Sequence, residues 1–201
     1  MKTYSYSYKN TALVLIGITI AAFIMQQMVP ISSYFLALNT TLVMSGWVWQ
    51  FVTYMFAHGG ITHLLCNMLA LFIFGVPVER EIGSKEFLLY YFTTGILAGI
   101  FSFIIYFLTG ADNVFLLGAS GAIFAVQLAY AILFPNSVIH IWGILPLREP
   151  VMVLGYTVLE IFLSFTGTQN GVAHLTHLPG FGVGWMYFIT RLHRNPWHSF
   201  R

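Results

Sequence analysis

Residues 115–134 read FLLGASGAIFAVQLAYAILF. The run carries no charge, and about 20 mostly apolar residues are what a helix needs to cross a hydrocarbon core roughly 30 Å thick. Its beginning is unlike a plain lipid anchor: Gly118, Ala119, Ser120 and Gly121 are all small, and Ser120 puts a hydroxyl at the mouth of an apolar stretch. Small residues let two membrane helices approach closely. A serine in the same place is also a candidate nucleophile. Both readings stand until the rest of the chain is laid beside it.

The membrane reading extends to the whole sequence. Of 201 residues, 58% are hydrophobic and only 7% charged, whereas soluble domains carry about 25% charged residues. An ordinary soluble protein is excluded, and the composition is that of a polytopic, all-α membrane protein. Six segments qualify as spans, at 12–28, 63–78, 87–108, 115–134, 151–165 and 172–191. Several are short or glycine-rich, which predicts helices shielded by neighbours rather than by lipid alone. The runs are continuous, not the ten-residue alternations of a barrel. No soluble domain, low-complexity linker or internal repeat interrupts them, so residues 1–201 read as one membrane domain. The first segment competes with a signal peptide, but its apolar core of about 17 residues exceeds the usual 7–15 and no small-x-small site follows. It is read as a retained span.

Charge sets the orientation. Lys2 and Lys9 precede the first span, Arg80 and Lys85 lie between the second and third, Arg148 between the fourth and fifth, and Arg191, Arg194 and Arg201 at or after the end of the sixth. All the basic residues fall on one side, which the positive-inside rule makes cytoplasmic, with both termini there. The outer connections hold a single charge, Asp112. A net charge of +2 is too small to argue for nucleic acid once topology has explained the basic residues. Cys66, the only cysteine, has no partner for an internal disulfide. A compact chain without a transit-like start predicts a bacterial or archaeal plasma membrane.

With this topology the second, fourth and sixth spans start at the outer surface, and the polar residues gather at those starts. His63 and Asn67 are four apart and share a helix face. His177, Gly180 and Gly184 form one stripe in the sixth span, because steps of three and four return to the same side. A glycine-lined sixth span against a glycine-lined fourth would bring an imidazole within reach of a hydroxyl. A serine hydroxyl attacks only when a base takes its proton, and histidine is the usual base. The oxyanion that follows needs donors already in place: the Asn67 amide, a His63 ring N–H and the Ser120 backbone N–H are candidates. No aspartate in these spans stands ready to orient the histidine, which suggests a Ser–His dyad rather than a triad.

The chain resembles the rhomboid intramembrane serine proteases over almost its whole length. Four motifs carry the likeness: Gly118-Ala119-Ser120-Gly121; His58-x4-His63-x3-Asn67; Ala173-His174-x2-His177-x2-Gly180-x3-Gly184; and Glu79-x3-Gly83. The resemblance implies a compact six-transmembrane-helix bundle that hydrolyses peptide bonds in or near the transmembrane helices of its substrates, in the lipid bilayer, without metal or cofactor. It makes Ser120 the nucleophile and His177 the general base, with Asn67 and His63 at the oxyanion site and Phe124 packed on the catalytic imidazole. Two positions depart from the family pattern. Trp49-Gln50 stands where Trp-Arg is usual, which puts the rigidity of the outer loop in question. Pro179 replaces a common glycine, and since proline suits only a helix's first turn it predicts that the sixth span starts near His177.

Other residues have plainer readings. His174 is read as a supporting hydrogen-bond partner, His58 as a loop brace and Cys66 as a small apolar packer. Glu160, an ionisable group inside the fifth span, is a functional candidate by position alone. Outer loop 30–57 carries Tyr34, Trp47, Trp49 and Tyr54 without a charge, and its rings are expected at the headgroup level. Rival functions are a non-catalytic relative that binds client helices, a transporter, for which no inverted repeat is found, and a metal site built from His58, His63, His174 and His177. The last lacks the HExxH signature and a nearby carboxylate.

Overall fold

The computed structural model describes residues 6–141, 144–164 and 177–200. Six main helices organise it: α1 (Thr11–Met28), α2 (Ile61–Ile82), α3 (Ser84–Thr109), α4 (Ser120–Leu133), α5 (Glu149–Ser164) and α6 (Leu178–Thr190). Helices α1, α2 and α3 are long and apolar enough to cross a membrane. Helix α4 has 14 residues, about 21 Å of rise. It is short because it is the post around which the others stand, packed against α2, α3, α5 and α6. Ala122, Ala125, Val126, Leu128, Ala129 and Ala131 along it are almost fully buried. The exposed residues of α1 and α3 are instead apolar, among them Val14, Ile18, Phe101, Ile104 and Phe107, as lipid-facing surfaces require.

The expected fourth span begins five residues too early. Residues 115–119 are not helical: Leu116 and Leu38 exchange backbone hydrogen bonds of 2.8 Å each way, and Gly118 turns the chain at φ 115°. That conformation is open to glycine and strained for other residues. The expected sixth span, 172–191, starts in the described residues at Leu178, with His177 as the cap residue and Pro179 in the first turn. Between α4 and α5 lies a two-stranded hairpin read from sequence only as a connection. Its strands β1 (Val138–Ile141) and β2 (Leu145–Arg148) pair antiparallel, Val138 opposite Arg148 and Ile141 opposite Leu145. Helix α2 carries a π turn at Leu71–Gly75. Pro77 just beyond has no N–H for the Ile73 carbonyl, and widening the turn is one way a helix absorbs that loss.

Two carboxylates fasten helix ends. Glu79, fully buried near the end of α2, accepts hydrogen bonds from the Thr11 and Ala12 N–H groups at 2.6 and 2.8 Å and from the Ser84 hydroxyl. It thereby caps α1, whose first-turn donors and positive dipole end favour a negative charge. Glu86 in α3 accepts from the Tyr187 hydroxyl and is gripped at both oxygens by Arg191, at 2.7 and 3.2 Å.

The outer segment is held from inside. It contains short helices Ser32–Leu36, Thr40–Met44 and Gln50–Thr53 and a 3-10 turn at Tyr54–Phe56. Gln50 is fully buried; its Oε1 accepts from the Asn39 N–H at 3.1 Å and its Nε2 donates to the Tyr34 carbonyl at 3.2 Å. The amide thus supplies bonds across the loop in the absence of a guanidinium. Asn39 donates to the Asp112 and Val114 carbonyls at 2.7 and 3.1 Å, tying the segment to the loop before Ser120. Trp47 stacks between Phe35 and Trp49 with ring centroids 5.1 and 5.2 Å away. Tyr34 and Trp49 are exposed, but Tyr54 is not the surface ring expected: it is 3% exposed, and its hydroxyl donates to the Gly95 carbonyl at 2.6 Å.

Candidate active site

Ser120 is the first residue of α4, where backbone N–H groups have no partner within the helix and the dipole end is positive. The turn that delivers it is fixed from behind, since the Gly118 N–H donates to the Tyr54 carbonyl at 2.9 Å. A Cβ at Gly118 would lie 2.7 Å from Cε1 and 2.8 Å from Nε2 of His63, and 3.7 Å from the Asn67 amide nitrogen. The glycine therefore does two things: it permits the positive φ, and it lets the His63 ring rest against the backbone two residues before the serine.

Helices α4 and α6 meet closest just past their beginnings. A Cβ at Gly180 would overlap the Gly121 carbonyl, and one at Gly184 would press on Ala125 and the Tyr90 hydroxyl. Glycine at that four-residue interval is what allows two backbones to touch. The contact seats the start of α6 beside Ser120: the His177 ring lies nearly parallel to Phe124, centroids 5.7 Å apart and planes 14° apart. Phe124 is one turn after Ser120 on the same face of α4.

Ser120 and Asn67 share a cavity of about 290 Å³, lined also by Cys66, Ala70, Ile123, Phe124, Gln127 and Tyr156. The Asn67 Nδ2 is buried with no hydrogen-bond partner, an unmatched donor on a residue that lines the cavity with Ser120. His58 packs edge-on against His63 with centroids 5.0 Å apart. Its backbone N–H is held by the Gln26 Oε1 at 3.0 Å. Burial, then the neighbouring His63, pulls the His58 imidazole down to about 4, so it is neutral at physiological pH.

The four residues singled out from sequence are thus distributed around one place: Ser120 and Asn67 on the cavity, His63 against Gly118, His177 over Phe124. His174 lies outside the described residues, as does the side chain of Glu160. Among the described residues, no group of three or more His, Cys, Asp or Glu side chains is arranged to hold a metal ion. Sequence reasoning missed Gln127 and Tyr156, and gave Cys66 only a packing role. Gln127 carried a signal, a polar residue in an apolar span seven positions after Ser120; Tyr156 on α5 had none, because its place depends on how α5 meets α4.

A family model described as Rhomboid domain matches residues 45–194. The YdcA rhomboid protein of Bacillus subtilis (strain 168) is 34% identical over 141 residues, which cover 69% of this chain and 66% of that protein. The chloroplastic rhomboid-like protein 11 of Arabidopsis thaliana is 34% identical over 149 residues, 68% of this chain and 50% of that one. The rhomboid protease AarA of Providencia stuartii is 30% identical over 156 residues, with 71% and 56% covered. The matched region spans about half to two thirds of these relatives' own lengths.

Proposed function

The chain belongs to the rhomboid family, a multi-pass integral membrane protein by its family and its apolar helices, and from that premise we propose that it is an intramembrane serine endopeptidase. In this reading one domain of six spans sits in a prokaryotic plasma membrane with both termini cytoplasmic, as the one-sided basic residues favour. The observation that carries the chemistry is the cavity shared by Ser120 and Asn67, with the His177 ring stacked on Phe124 one turn away.

The Ser120 Oγ attacks the peptide carbonyl carbon while His177 takes the hydroxyl proton. The carbonyl oxygen becomes an oxyanion, met by the Asn67 Nδ2, a ring N–H of His63 and the Ser120 backbone N–H. Collapse expels the amine, which receives the proton from His177, and leaves an ester on Ser120. Water then attacks that ester, giving its proton to His177, which returns it to the Ser120 oxygen as the carboxylic acid departs. Donors held in place before the reaction need no reorganisation as charge develops.

Substrates are proteins with a transmembrane helix. A helical backbone keeps its carbonyls in hydrogen bonds, so the segment to be cut must first unwind, and small or helix-breaking residues ease this. With Ser120 at the outer start of α4, the cut falls near the outer boundary of the substrate helix.

The test is cleavage of a single-span substrate by purified protein in detergent, with Ser120→Ala, His177→Ala and EDTA in parallel. We expect EDTA-resistant cleavage and a loss of about 10⁴-fold or more in either variant, with folding intact. Cleavage that survives Ser120→Ala, or stops with EDTA, overturns the reading. Silence of folded wild-type protein that also resists a fluorophosphonate probe at Ser120 makes it a client binder instead.

A further inference from the structure

The chain after α6 folds back on the bundle. His193, at φ 53°, turns the backbone. The Asn195 side chain then accepts from the Trp197 N–H at 3.1 Å and opens a 3-10 turn at Pro196–Ser199. The Ser199 hydroxyl donates to the Ile132 carbonyl at 2.9 Å, one residue before the end of α4. Trp197 meets Trp185 of α6 edge-on with centroids 5.0 Å apart, and Phe200 lies 5.6 Å from the same ring. Trp185 stands five residues before the end of α6 at Thr190, about 7.5 Å up the helix axis. The segment thus lies against the ends of α4 and α6. Yet Trp197 itself is 61% exposed, and among the described residues its indole N–H has no acceptor. An amphipathic ring so placed on a membrane protein belongs at the level of the headgroups.

The charge at this end of the bundle is one-sided. The described basic residues here, Lys9, Arg80, Lys85, Arg148, Arg191 and Arg194, are all exposed. Of the described carboxylates here, Glu79, Glu86 and Glu149 are buried and Glu81 alone is exposed. Arg191 is engaged by Glu86. Glu81 stands 3.8 Å from Arg194 with both side chains about half exposed, and such a pair contributes little. That approach also sets the folded-back segment beside the turn between α2 and α3, where Arg80 and Lys85 are exposed. The fold hides most of its negative charge and displays the positive.

We propose that this surface binds the anionic phospholipids of the bilayer. Trp197 seats in the boundary between headgroups and acyl chains, and Arg80, Lys85 and Arg194 contact the acidic headgroups around it. The indole supplies the amphipathic fit. Each basic side chain close to an anionic lipid surface favours it by roughly fivefold, whereas the choline of a zwitterionic lipid cancels the charge of its phosphate. The inference rests on the membrane reading above and is independent of the chemistry at Ser120.

The test uses the full chain reconstituted in phosphatidylcholine bilayers that contain either brominated phosphatidylglycerol or brominated phosphatidylcholine as the quencher of tryptophan fluorescence. The quantity read is the quenching that disappears in Trp197→Phe, which subtracts the other tryptophans, and it gives the relative affinity of the two lipids for the surface around Trp197. Melting in detergent checks that each variant is folded. In wild type, phosphatidylglycerol is favoured about tenfold or more, and the preference declines with added salt. With Arg80→Gln, Lys85→Gln and Arg194→Gln combined, it falls to about one. Equal affinities in wild type, or a preference that survives the folded triple variant, overturn the assignment. Quenching of Trp197 by aqueous iodide and by neither lipid places the ring in water and overturns it as well. Substrate cleavage in the same bilayers reads the protease proposal separately, so either can fail while the other stands.

Discussion

Helix α2 connects two regions built differently. Near its end, the Glu79 carboxylate meets two backbone donors and a hydroxyl and holds α1 in place. Near its beginning, Asn67 is equally hidden, at 6% exposure, but its amide nitrogen meets nothing. Burying an unmatched donor costs about 1–3 kcal/mol, so the first region is arranged for stability and the second gives some up. Unmatched buried atoms are not confined to the Ser120 end, since both oxygens of Glu149 also lack partners. What sets Asn67 apart is the cavity it shares with Ser120. Strain held at a site is repaid only if something enters it.

Substitutions at the two ends should therefore move different observables. Glu79→Ala removes the cap and strands the α1 donors, and is expected to cost about 3–5 kcal/mol of stability, read as a lowered melting temperature in detergent. If the melting temperature holds, the first half of the comparison is wrong. Asn67→Ala is expected to lower kcat about 10²- to 10³-fold while the melting temperature stays level or rises, because an unmatched donor has been removed. A large loss of stability would make Asn67 a structural residue like Glu79.

His58 sharpens the contrast through pH. The folded protein keeps its imidazole neutral down to about 4, whereas an unfolded histidine takes up a proton near 6.5. The unfolded state binds more protons between these values, so the contribution of His58 is complete above pH 6.5, declines as pH falls toward 4 and is gone below. It amounts to at most about 3 kcal/mol. Melting curves across that range should show the decline, and His58→Gln should flatten it. The smallest effect is expected at the α4–α6 contact. Gly180→Ala must push two backbones apart, at about 1–3 kcal/mol, and should reduce turnover as well by shifting His177. Gly182→Ala meets open space and should do neither. Equal behaviour of the two variants would remove the close approach from the account.

Much of this was legible in residue order. Hydropathy marked the helices, and α2, α4 and the residue before α6 offered Asn67, Ser120 and His177 as candidates because polar groups in apolar runs stand out. Pro179 marked the start of α6, since a ring without an N–H belongs in a first turn. Boundaries were less legible: the apolar run at 115–134 hid the turn at Gly118, because Leu116 and Leu117 are as apolar in a bridge as in a helix. The β1–β2 hairpin leaves no mark in the residue order, and Tyr54 reads as an interface ring although its hydroxyl has a buried carbonyl to satisfy.

By itself, then, the sequence determined that this is a helical membrane protein, which helix ends collect polar groups, and which side chains are candidates to attack a carbonyl. Those properties are carried by single residues and their spacing along one helix. Tertiary structure decided that Gln50 ties the outer loop, that Glu79 caps α1, that the Asn67 donor is left unmatched, and that Gln127 and Tyr156 share a cavity with Ser120. Each of these depends on the distance between atoms remote in the chain, which packing fixes and residue order does not state.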